Sequence, residues 1–335
     1  MQKILVIQTA FIGDAVLATA IVEKLHAFYP DAKIDFLVRK GNEALFRDHP
    51  FLNEVLVWVK TENKFRNLLK MLSRIRKKKY DVVVNVQRFA ATGFLTAFCA
   101  AKMKIGFDKN PLSFLFTKRI KHIISSGSQP LHEIDRNQML IEELTDAVPS
   151  QPRLYPSEKD FAKVSDLKKN AYIVIAPASV WFTKQYPPDK WAAFINHVPS
   201  SINVYLVGAP ADKQLCEQIR SQSIHPAVYN LCGQFNFLES AALQKDALMN
   251  YVNDSAPMHF ASAVNAPVCA VYCSTLPSFG FGPLSNKSFI VETREKLDCR
   301  PCGLHGQKAC PKGHFKCAYG IKEDQLLDTI GASSN

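Results

Sequence analysis

The amino-acid sequence predicts an α/β protein with two Rossmann-like domains, each a doubly wound parallel sheet, that face a cleft. Three observations lead to this class. The 335 residues exceed one small core and suit two domains. In both halves, short runs rich in Val and Ile alternate with longer helical stretches, as in parallel sheets covered by helices on both faces. Between the halves, residues 149–170 are polar and contain three prolines, which is typical of a linker.

The predicted elements repeat the same alternation in each half. In the first half, strands are expected at residues 4–7, 34–38, 55–59 and 82–86, and helices at 14–28, 64–79, 90–101 and 132–147. In the second half, strands are expected at 172–176, 204–207, 228–231, 249–252 and 268–272, and helices at 188–197, 211–222, 236–245 and 256–264. We place the domain boundary within the linker, which gives domains 1–160 and 161–335.

The composition is that of a folded protein, because 47% of the residues are hydrophobic. No segment approaches the ~20 uninterrupted apolar residues of a membrane-spanning helix. The first residues enter a predicted strand without the apolar core and cleavage site of a signal peptide. We therefore expect a cytoplasmic protein.

The net charge of +11 is concentrated in the first half, where Lys and Arg crowd the predicted helix 64–79 and recur between 102 and 121. Such clusters attract nucleic acid, anionic membranes or phosphorylated substrates, although a solvated helix face has the same composition. Nucleic acid is disfavoured, since we find no recognition helix or aromatic RNA-binding motif. Phe65 and Leu69 interleave with the charges at helical spacing, so this helix either packs on the core or lies on a membrane surface.

Asp14 follows Gly13 directly after the first predicted strand. At the carboxyl end of that strand its carboxylate would point into the cleft, where it could act as a general base or simply cap the next helix. The segment lacks the glycine triplet of the dinucleotide fingerprint, which disfavours a nicotinamide or flavin enzyme.

The most informative segment is residues 252–261, which read as a strand end, a turn and a helix start. Asp254 and Ser255 stand at the predicted N-cap, and Pro257 lies in the first turn. A helix N-terminus can hold a phosphate, and His259 shares the face of Ser255 at i+4. The segment therefore indicates a nucleotide-diphosphate cradle, with an ordinary capped helix as the alternative.

Two further loops supply polar groups after predicted strands of the second half. Ser179 and Thr183 can donate to phosphate oxygens, and Lys184 can stabilise the charge on a leaving diphosphate. Asp212 could accept from a ribose hydroxyl or cap the helix at 211–222.

Taken together, these motifs resemble the bacterial heptosyltransferases of lipopolysaccharide core synthesis, glycosyltransferase family 9. The resemblance spans essentially the whole chain and rests on the order and spacing of the motifs. The matching segments are residues 7–16, 132–137, 181–187, 208–212, 253–259 and 299–317.

The resemblance implies a GT-B fold and an inverting transfer, typically from ADP-L-glycero-D-manno-heptose to a growing lipid A–Kdo core. The first domain would bind this anionic glycolipid acceptor, with a peripheral contact to the inner membrane, and the second the nucleotide sugar. Neither a cofactor nor a catalytic metal is expected, and nucleic acid is not an expected partner. Asp14 matches the proposed general base, and Lys184 matches a donor-binding lysine that stabilises the diphosphate. The expected donor contacts are Ser179, Thr183, Asp212, Asp254, Ser255, Ala256 and His259.

Three residues depart from the family pattern. Ala256 stands where the family usually has Gly, Gln8 where it often has Arg or Lys, and Tyr186 where Trp is more usual. These departures leave room for a binding protein with a degenerate site. Another nucleotide-sugar enzyme on the same architecture, such as an epimerase, is a further alternative.

Four of the nine cysteines, at 299, 302, 310 and 317, fall within nineteen residues. Four thiolates could bind structural zinc, but the spacing is not that of paired zinc knuckles. Reduced thiols or a labile disulfide are the alternatives.

Overall fold

The computed structural model describes residues 2–123 and 130–331, and the chain divides after Tyr155 into two compact units. The first unit ends there, and the second begins at Pro156. The boundary expected at residues 160 and 161 falls slightly later, inside a short helix of the second unit.

The first unit is a six-stranded parallel sheet in the order β3-β2-β1-β4-β5-β6. Its strands are β1 (Lys3–Ile7), β2 (Lys33–Arg39), β3 (Leu52–Trp58), β4 (Val82–Asn85), β5 (Met103–Phe107) and β6 (Lys118–Ile120). Its α-helices are α1 (Ile12–Leu17), α2 (Thr19–Phe28), α3 (Lys64–Lys78), α4 (Ala90–Phe98) and α5 (Glu133–Gln138).

The second unit is another six-stranded parallel sheet, in the order β12-β11-β10-β7-β8-β9. Its strands are β7 (Tyr172–Ala176), β8 (Asn203–Leu206), β9 (Val228–Asn230), β10 (Asn250–Asn253), β11 (Val268–Tyr272) and β12 (Ser288–Glu292). Its α-helices are α6 (Glu158–Lys163), α7 (Pro188–Ile195), α8 (Lys213–Gln222), α9 (Phe237–Lys245), α10 (Ala256–Ala263), α11 (Lys316–Tyr319) and α12 (Asp324–Gly331).

The central strands are buried on both faces, which explains their continuous apolar sequences. All five residues of β7 and β11 are buried, as are the last four of β1. Both sheets have the strand order of the Rossmann fold, which confirms the predicted class of two doubly wound parallel domains. In this fold the strand order reverses between β1 and β4, and between β7 and β10. Ligands bind beyond the carboxyl ends of the strands at such switch points.

The predicted helix 14–28 is wrong as a single element, because Ala18 separates α1 from α2. At this junction the Thr19 hydroxyl donates to the Val16 carbonyl (2.7 Å), a local bond that competes with the helical ladder. The predicted helix 132–147 also ends early, at Gln138, whose side chain donates to Thr145 Oγ1 (3.0 Å) across a tight turn.

The stretch expected to be a linker is partly helical. α6 begins with a capping box in which the Asp160 carboxylate accepts from the backbone N–H of Ser157 (2.8 Å) and from its hydroxyl (2.7 Å). Val164 anchors this region, since it is fully buried in the core of the second unit. Strands β5, β6 and β12 were not predicted from the sequence.

Candidate functional site

Asp14 lies in the first unit just beyond the carboxyl end of β1, at the switch point with β4. It is the third residue of α1, which begins after Phe11, so it occupies the first helical turn and not the N-cap position. Its side chain is half-buried. The end of β1 and the first turn of α1, where the backbone N–H of the N-cap residue Phe11 faces the carboxylate, together fix where this side chain stands.

The Asp14 carboxyl is much less acidic than an exposed aspartic acid. Burial raises its pKa, and the like charge of Glu133 adds to this effect, so that the pKa is about 6. Backbone N–H groups of Asp14 and Phe11, and the charge of Arg39, oppose the shift without cancelling it. A carboxylate with this pKa is ionised at neutral pH and is a stronger base than an ordinary aspartate, as general-base catalysis requires.

Glu133 is held by an arginine of its own helix. Arg136 donates to Glu133 Oε2 from Nε (2.9 Å) and from Nη2 (2.7 Å). Burial raises the pKa of Glu133, against the opposing charges of Arg136 and Arg88. Burial and these two arginines lower the pKa of His122 to about 4, so its ring is neutral at physiological pH.

Further cations stand at the ends of β1 to β3. Lys60 Nζ donates to the carbonyl oxygen of Thr9 (2.7 Å), directly after β1. Burial lowers the pKa of Lys60 to about 8, and the like charges of Arg39 and Lys64 contribute. An incoming anion would relieve this repulsion, so this edge of the first unit is suited to an anionic ligand.

Lys184 and Asp254 form the centre of the second unit's site. Lys184 lies in the loop after β7, and Asp254 follows β10, the neighbouring strand at the switch point. Lys184 Nζ and Asp254 Oδ2 are 2.6 Å apart, and the side chains are only 15% and 10% exposed. Thr275, after β11, donates its hydroxyl to the same Oδ2 (2.7 Å). Three adjacent strands thus place one residue each at the carboxyl edge.

Asn253, the last residue of β10, fixes the loop that contains Lys184. Its Oδ1 accepts from the backbone N–H of Tyr186 (3.0 Å), and its Nδ2 donates to the carbonyl of Pro177 (2.6 Å). Asn253 is fully buried, so water does not compete for either bond. Both ends of the lysine loop are therefore tied to the strand that precedes Asp254.

α10 begins immediately after Asp254, with Ser255 as its N-cap residue. The Ser255 side chain does not cap the helix; its hydroxyl donates to the Asn253 carbonyl (3.3 Å). The first backbone N–H groups of α10 are thus not capped by Ser255 and suit a phosphate. Ala256 is the first helical residue, a conformation that needs no glycine. His259 is buried in the next turn.

The loop hydroxyls expected to meet phosphate differ in exposure. Thr183 is 1% exposed, and its Oγ1 accepts from Ser274 Oγ (2.9 Å) and from the backbone N–H of Gln307 (2.8 Å). Its hydroxyl therefore binds other protein groups in this structure. Ser179 is half-buried, and its carbonyl accepts from Gln185 Nε2 (2.7 Å).

Asp212 stands apart from these residues, in the turn after β8. Its Oδ2 accepts from the backbone N–H of Ala209 (2.8 Å). Gly208 is required beside it, because a Cβ there would lie 2.8 Å from Asp212 Oδ2. The Asp212 carboxylate thus stabilises the turn in which it lies. Its contact with the donor ribose stays a prediction.

The sequence model of glycosyltransferase family 9 (heptosyltransferase) matches residues 68–310, well over half of the chain. The chain belongs to glycosyltransferase family 9. It is therefore a glycosyltransferase of the heptosyltransferase family, which confirms the enzyme class inferred from the motifs.

Individual relatives are distant in sequence and similar in fold. Lipopolysaccharide heptosyltransferase 3 of Escherichia coli is 26% identical over 281 residues, which cover 79% of this chain and 82% of that protein. A family 9 glycosyltransferase from Veillonella parvula superposes with a TM-score of 0.85 at 20% identity, covering 99% of this chain and 97% of that one. E. coli heptosyltransferase WaaC with ADP-2-deoxy-2-fluoro heptose gives 0.74 at 15% identity, covering 99% and 100%. These likenesses confirm the GT-B class.

Sequence reasoning missed several residues of this family 9 site. Glu133 lies in a motif that had been matched to the family without a role, and Asn253 directly precedes the predicted Asp254. Thr275 has a signal that could have been used, since Ser274 and Thr275 follow a buried strand just as Asp14 does.

The cysteines of this family 9 member are all free thiols in the structure. Cys299 Sγ lies 3.8 Å from His314 Nε2, and Cys302 Sγ donates to the Cys299 carbonyl (3.3 Å). Within residues 2–123 and 130–331, no three His, Cys, Asp or Glu side chains are arranged to hold a metal ion.

Proposed function

We propose that the enzyme transfers heptose from ADP-heptose, with inversion, to an anionic lipopolysaccharide acceptor of the lipid A–Kdo inner-core type. The observation that most supports this is the Lys184–Asp254 pair at the switch point beside the start of α10. The named relatives support the substrates, since one is a lipopolysaccharide heptosyltransferase and another was crystallised with an ADP-heptose analogue.

The donor would bind to the second unit through its diphosphate. Lys184 would exchange its bond with Asp254 for one with a phosphate oxygen, and the N–H groups after Ser255 would bind a second oxygen. Asp254 would then accept from hydroxyls of the sugar. Ser179, Asp212, Ala256 and His259 complete the proposed donor contacts, and Thr183 would act by holding Lys184 in place.

Asp14 would start the reaction by accepting the proton of the acceptor hydroxyl. The hydroxyl oxygen then forms a bond to the anomeric carbon as the bond from that carbon to the diphosphate breaks. ADP leaves with the negative charge, which Lys184 stabilises. One base and an in-line approach suffice for such an inverting transfer.

The cations at the first unit's carboxyl edge would bind the acidic groups of the acceptor. Arg39, Lys60 and Arg88 lie near the ends of strands, and Gln8, which replaces a usual cation, is buried and accepts from the backbone N–H of Ala10 (3.1 Å). Lys60 would therefore supply much of the charge at the end of β1.

A lipid-linked acceptor requires the enzyme to reach a membrane surface. In the described residues no helix is long and apolar enough to span a bilayer. α3 buries Met71 and Ile75 but leaves Phe65 79% and Leu69 58% exposed among lysines and arginines. We propose that this face of α3 makes a peripheral contact with anionic lipid.

Nucleotide selectivity tests the proposal. ADP and ADP-heptose should raise the melting temperature of the purified enzyme, whereas UDP, GDP and their sugar conjugates should not, since a ligand specific for the native state stabilises it. A preference for UDP or GDP would refute ADP-heptose as the donor. Binding of ADP-heptose without single-turnover transfer to any lipid A–Kdo or heptosylated core acceptor would favour the degenerate binding protein, and conversion of the free nucleotide sugar would favour an epimerase.

A further inference from the structure

Residues 300–307 form a segment between β12 and α11 that contains neither helix nor strand. We call it the 300–307 segment. It contains Cys302 of the cysteine cluster and makes contacts on both sides of the Lys184–Asp254 pair. The sequence indicated no role for it in the donor site.

One end of the segment holds the lysine loop. The backbone N–H of Thr183 donates to the Gln307 carbonyl (3.1 Å), and the N–H of Gln307 donates to Thr183 Oγ1 (2.8 Å). Gly306 packs against the stem of Lys184, where a Cβ would lie 3.0 Å from Lys184 Cγ and 3.1 Å from Thr183 Oγ1. Because Gly306 has no side chain, its backbone packs directly against Lys184 and limits where the lysine side chain can lie.

The other end holds the residues next to Asp254. Arg300, whose side chain is 9% exposed, donates from Nη2 to the Thr275 carbonyl (2.9 Å) and from Nε to the Cys273 carbonyl (2.8 Å). Glu292 Oε2, 2.6 Å from Nη2, balances the charge of the guanidinium. Since Thr275 donates to Asp254 Oδ2, Arg300 is one residue removed from the ion pair.

A third contact joins the two ends. The backbone N–H of Cys302 donates to the Ser274 carbonyl (2.9 Å), and the Ser274 hydroxyl donates to Thr183 Oγ1 (2.9 Å). Polar contacts therefore connect Arg300 with Lys184 through Thr275 and Asp254. A second path returns from Thr183, the neighbour of Lys184, through Ser274 to Cys302.

We propose that the two ends of the 300–307 segment position the donor-binding pair, with Arg300 orienting Asp254 through Thr275, and Gly306 with Gln307 orienting Lys184. This rests on the proposed function of Lys184 at the donor diphosphate. A free lysine side chain loses rotamer entropy when it is immobilised. The segment immobilises it before the donor arrives, so that this cost does not weaken donor binding.

Two glycines of the segment provide a matched test. Gly306 and Gly303 both have positive φ, +77° and +74°, so alanine strains the backbone similarly at each. Only at Gly306 does the new Cβ meet another residue, because nothing lies within 4 Å of a Cβ at Gly303. Gly306→Ala should therefore displace Lys184, and Gly303→Ala should not.

The first readout is chemical labelling of lysines without nucleotide, followed by mass spectrometry. We expect labelling of Lys184 to rise several-fold in Gly306→Ala relative to Gly303→Ala, while both variants keep similar melting temperatures. Equal labelling of Lys184 in the two variants would overturn the positioning role. This readout does not need a donor, so it remains decisive even if wild-type enzyme binds no nucleotide sugar and the proposed function fails.

The second readout is the affinity for ADP-heptose. We expect Gly306→Ala and Arg300→Gln to raise the donor Kd at least ~10-fold, about 1.4 kcal/mol, with the acceptor KM unchanged. Gly303→Ala should remain close to wild type. If wild type binds ADP-heptose and Gly306→Ala binds it equally well, the positioning role is refuted while the proposed function stands.

Discussion

Lys184 Nζ and Asp254 Oδ2 are 2.6 Å apart, although the two residues come from loops after different strands of the second sheet. Both side chains are largely withdrawn from water. A pair of opposite charges in this setting is costly to break, yet a diphosphate can replace the carboxylate at the lysine. Lys184 and Asp254 thus neutralise each other in this structure, and under the proposed function a donor diphosphate would take the place of the carboxylate at the lysine.

This relationship predicts strong coupling in stability. Lys184→Met should destabilise the enzyme by about 3 kcal/mol, because Asp254 is left as a largely buried charge that keeps the hydroxyl of Thr275 but has lost its opposite charge. The double variant Lys184→Met/Asp254→Leu should lose less than the sum of the two single changes. Urea unfolding of all four proteins measures the coupling, and additive losses would show that the pair is not formed in solution.

The raised pKa of Asp14 predicts the pH dependence of transfer. Since Asp14 must be ionised to accept a proton, kcat/KM should fall as the pH drops through about 6. Glu133→Gln removes the like charge and should lower the pKa of Asp14, so that the acidic limb of the pH–rate profile moves to lower pH. Burial should still keep this pKa above that of an ordinary aspartic acid. Glu142→Gln, at an exposed carboxylate nearby, is the charge-matched control and should leave the limb in place.

The raised pKa of Asp14 also predicts that its ionised carboxylate lowers the stability of the folded protein. Its folded pKa of about 6 lies above the ordinary 3.8, so the unfolded chain loses this proton first and stability falls as the pH rises between these values. Asp14→Asn should therefore raise the free energy of unfolding at pH 7.5, by at most ~3 kcal/mol. The gain should become small near pH 3.5, where this carboxyl is mostly protonated in the folded and the unfolded protein. Urea unfolding at the two pH values tests this, and a loss of stability at pH 7.5 would contradict it.

The exposed face of α3 predicts a specific membrane contact. Phe65→Ser/Leu69→Ser should reduce co-sedimentation with vesicles containing phosphatidylglycerol, whereas phosphatidylcholine vesicles should bind neither protein. Ile224→Ser is the control, because Ile224 is 86% exposed in the second unit and far from the basic helix in sequence. Equal reductions in the control and the α3 variant would argue against this docking face.

The central strands could be predicted from the sequence because burial on both faces leaves a continuous apolar run. Two of the four edge strands could not: β6 has two charges in three residues, and β12 is exposed at alternate positions. α6 was hidden by the surrounding prolines, although Ser157 and Asp160 form a recognisable capping box. The break at Ala18 goes with a hydrogen bond from the Thr19 hydroxyl to the Val16 carbonyl, and the spacing of apolar residues does not reveal such a bond.

The residues of the candidate site likewise include some that the sequence predicts and others that only the structure reveals. Asp14, Lys184 and Asp254 follow strands, so the rule that ligands bind at the carboxyl edge of a parallel sheet finds them. Arg300 and Gly306 contact residues that are distant in the chain, and such contacts leave no local pattern in the sequence. Thr183 resembled a phosphate ligand from its place in the loop, but its two bonds to other protein groups became visible only in the structure.

The most direct test of the proposed mechanism is single-turnover transfer from ADP-heptose by wild type and Asp14→Asn, with donor binding measured on the same preparations. We predict that the variant binds ADP-heptose as wild type does and transfers heptose ~10²- to 10⁴-fold more slowly, because only the proton acceptor is lost. Transfer at the wild-type rate by Asp14→Asn would contradict the assignment of Asp14 as the base.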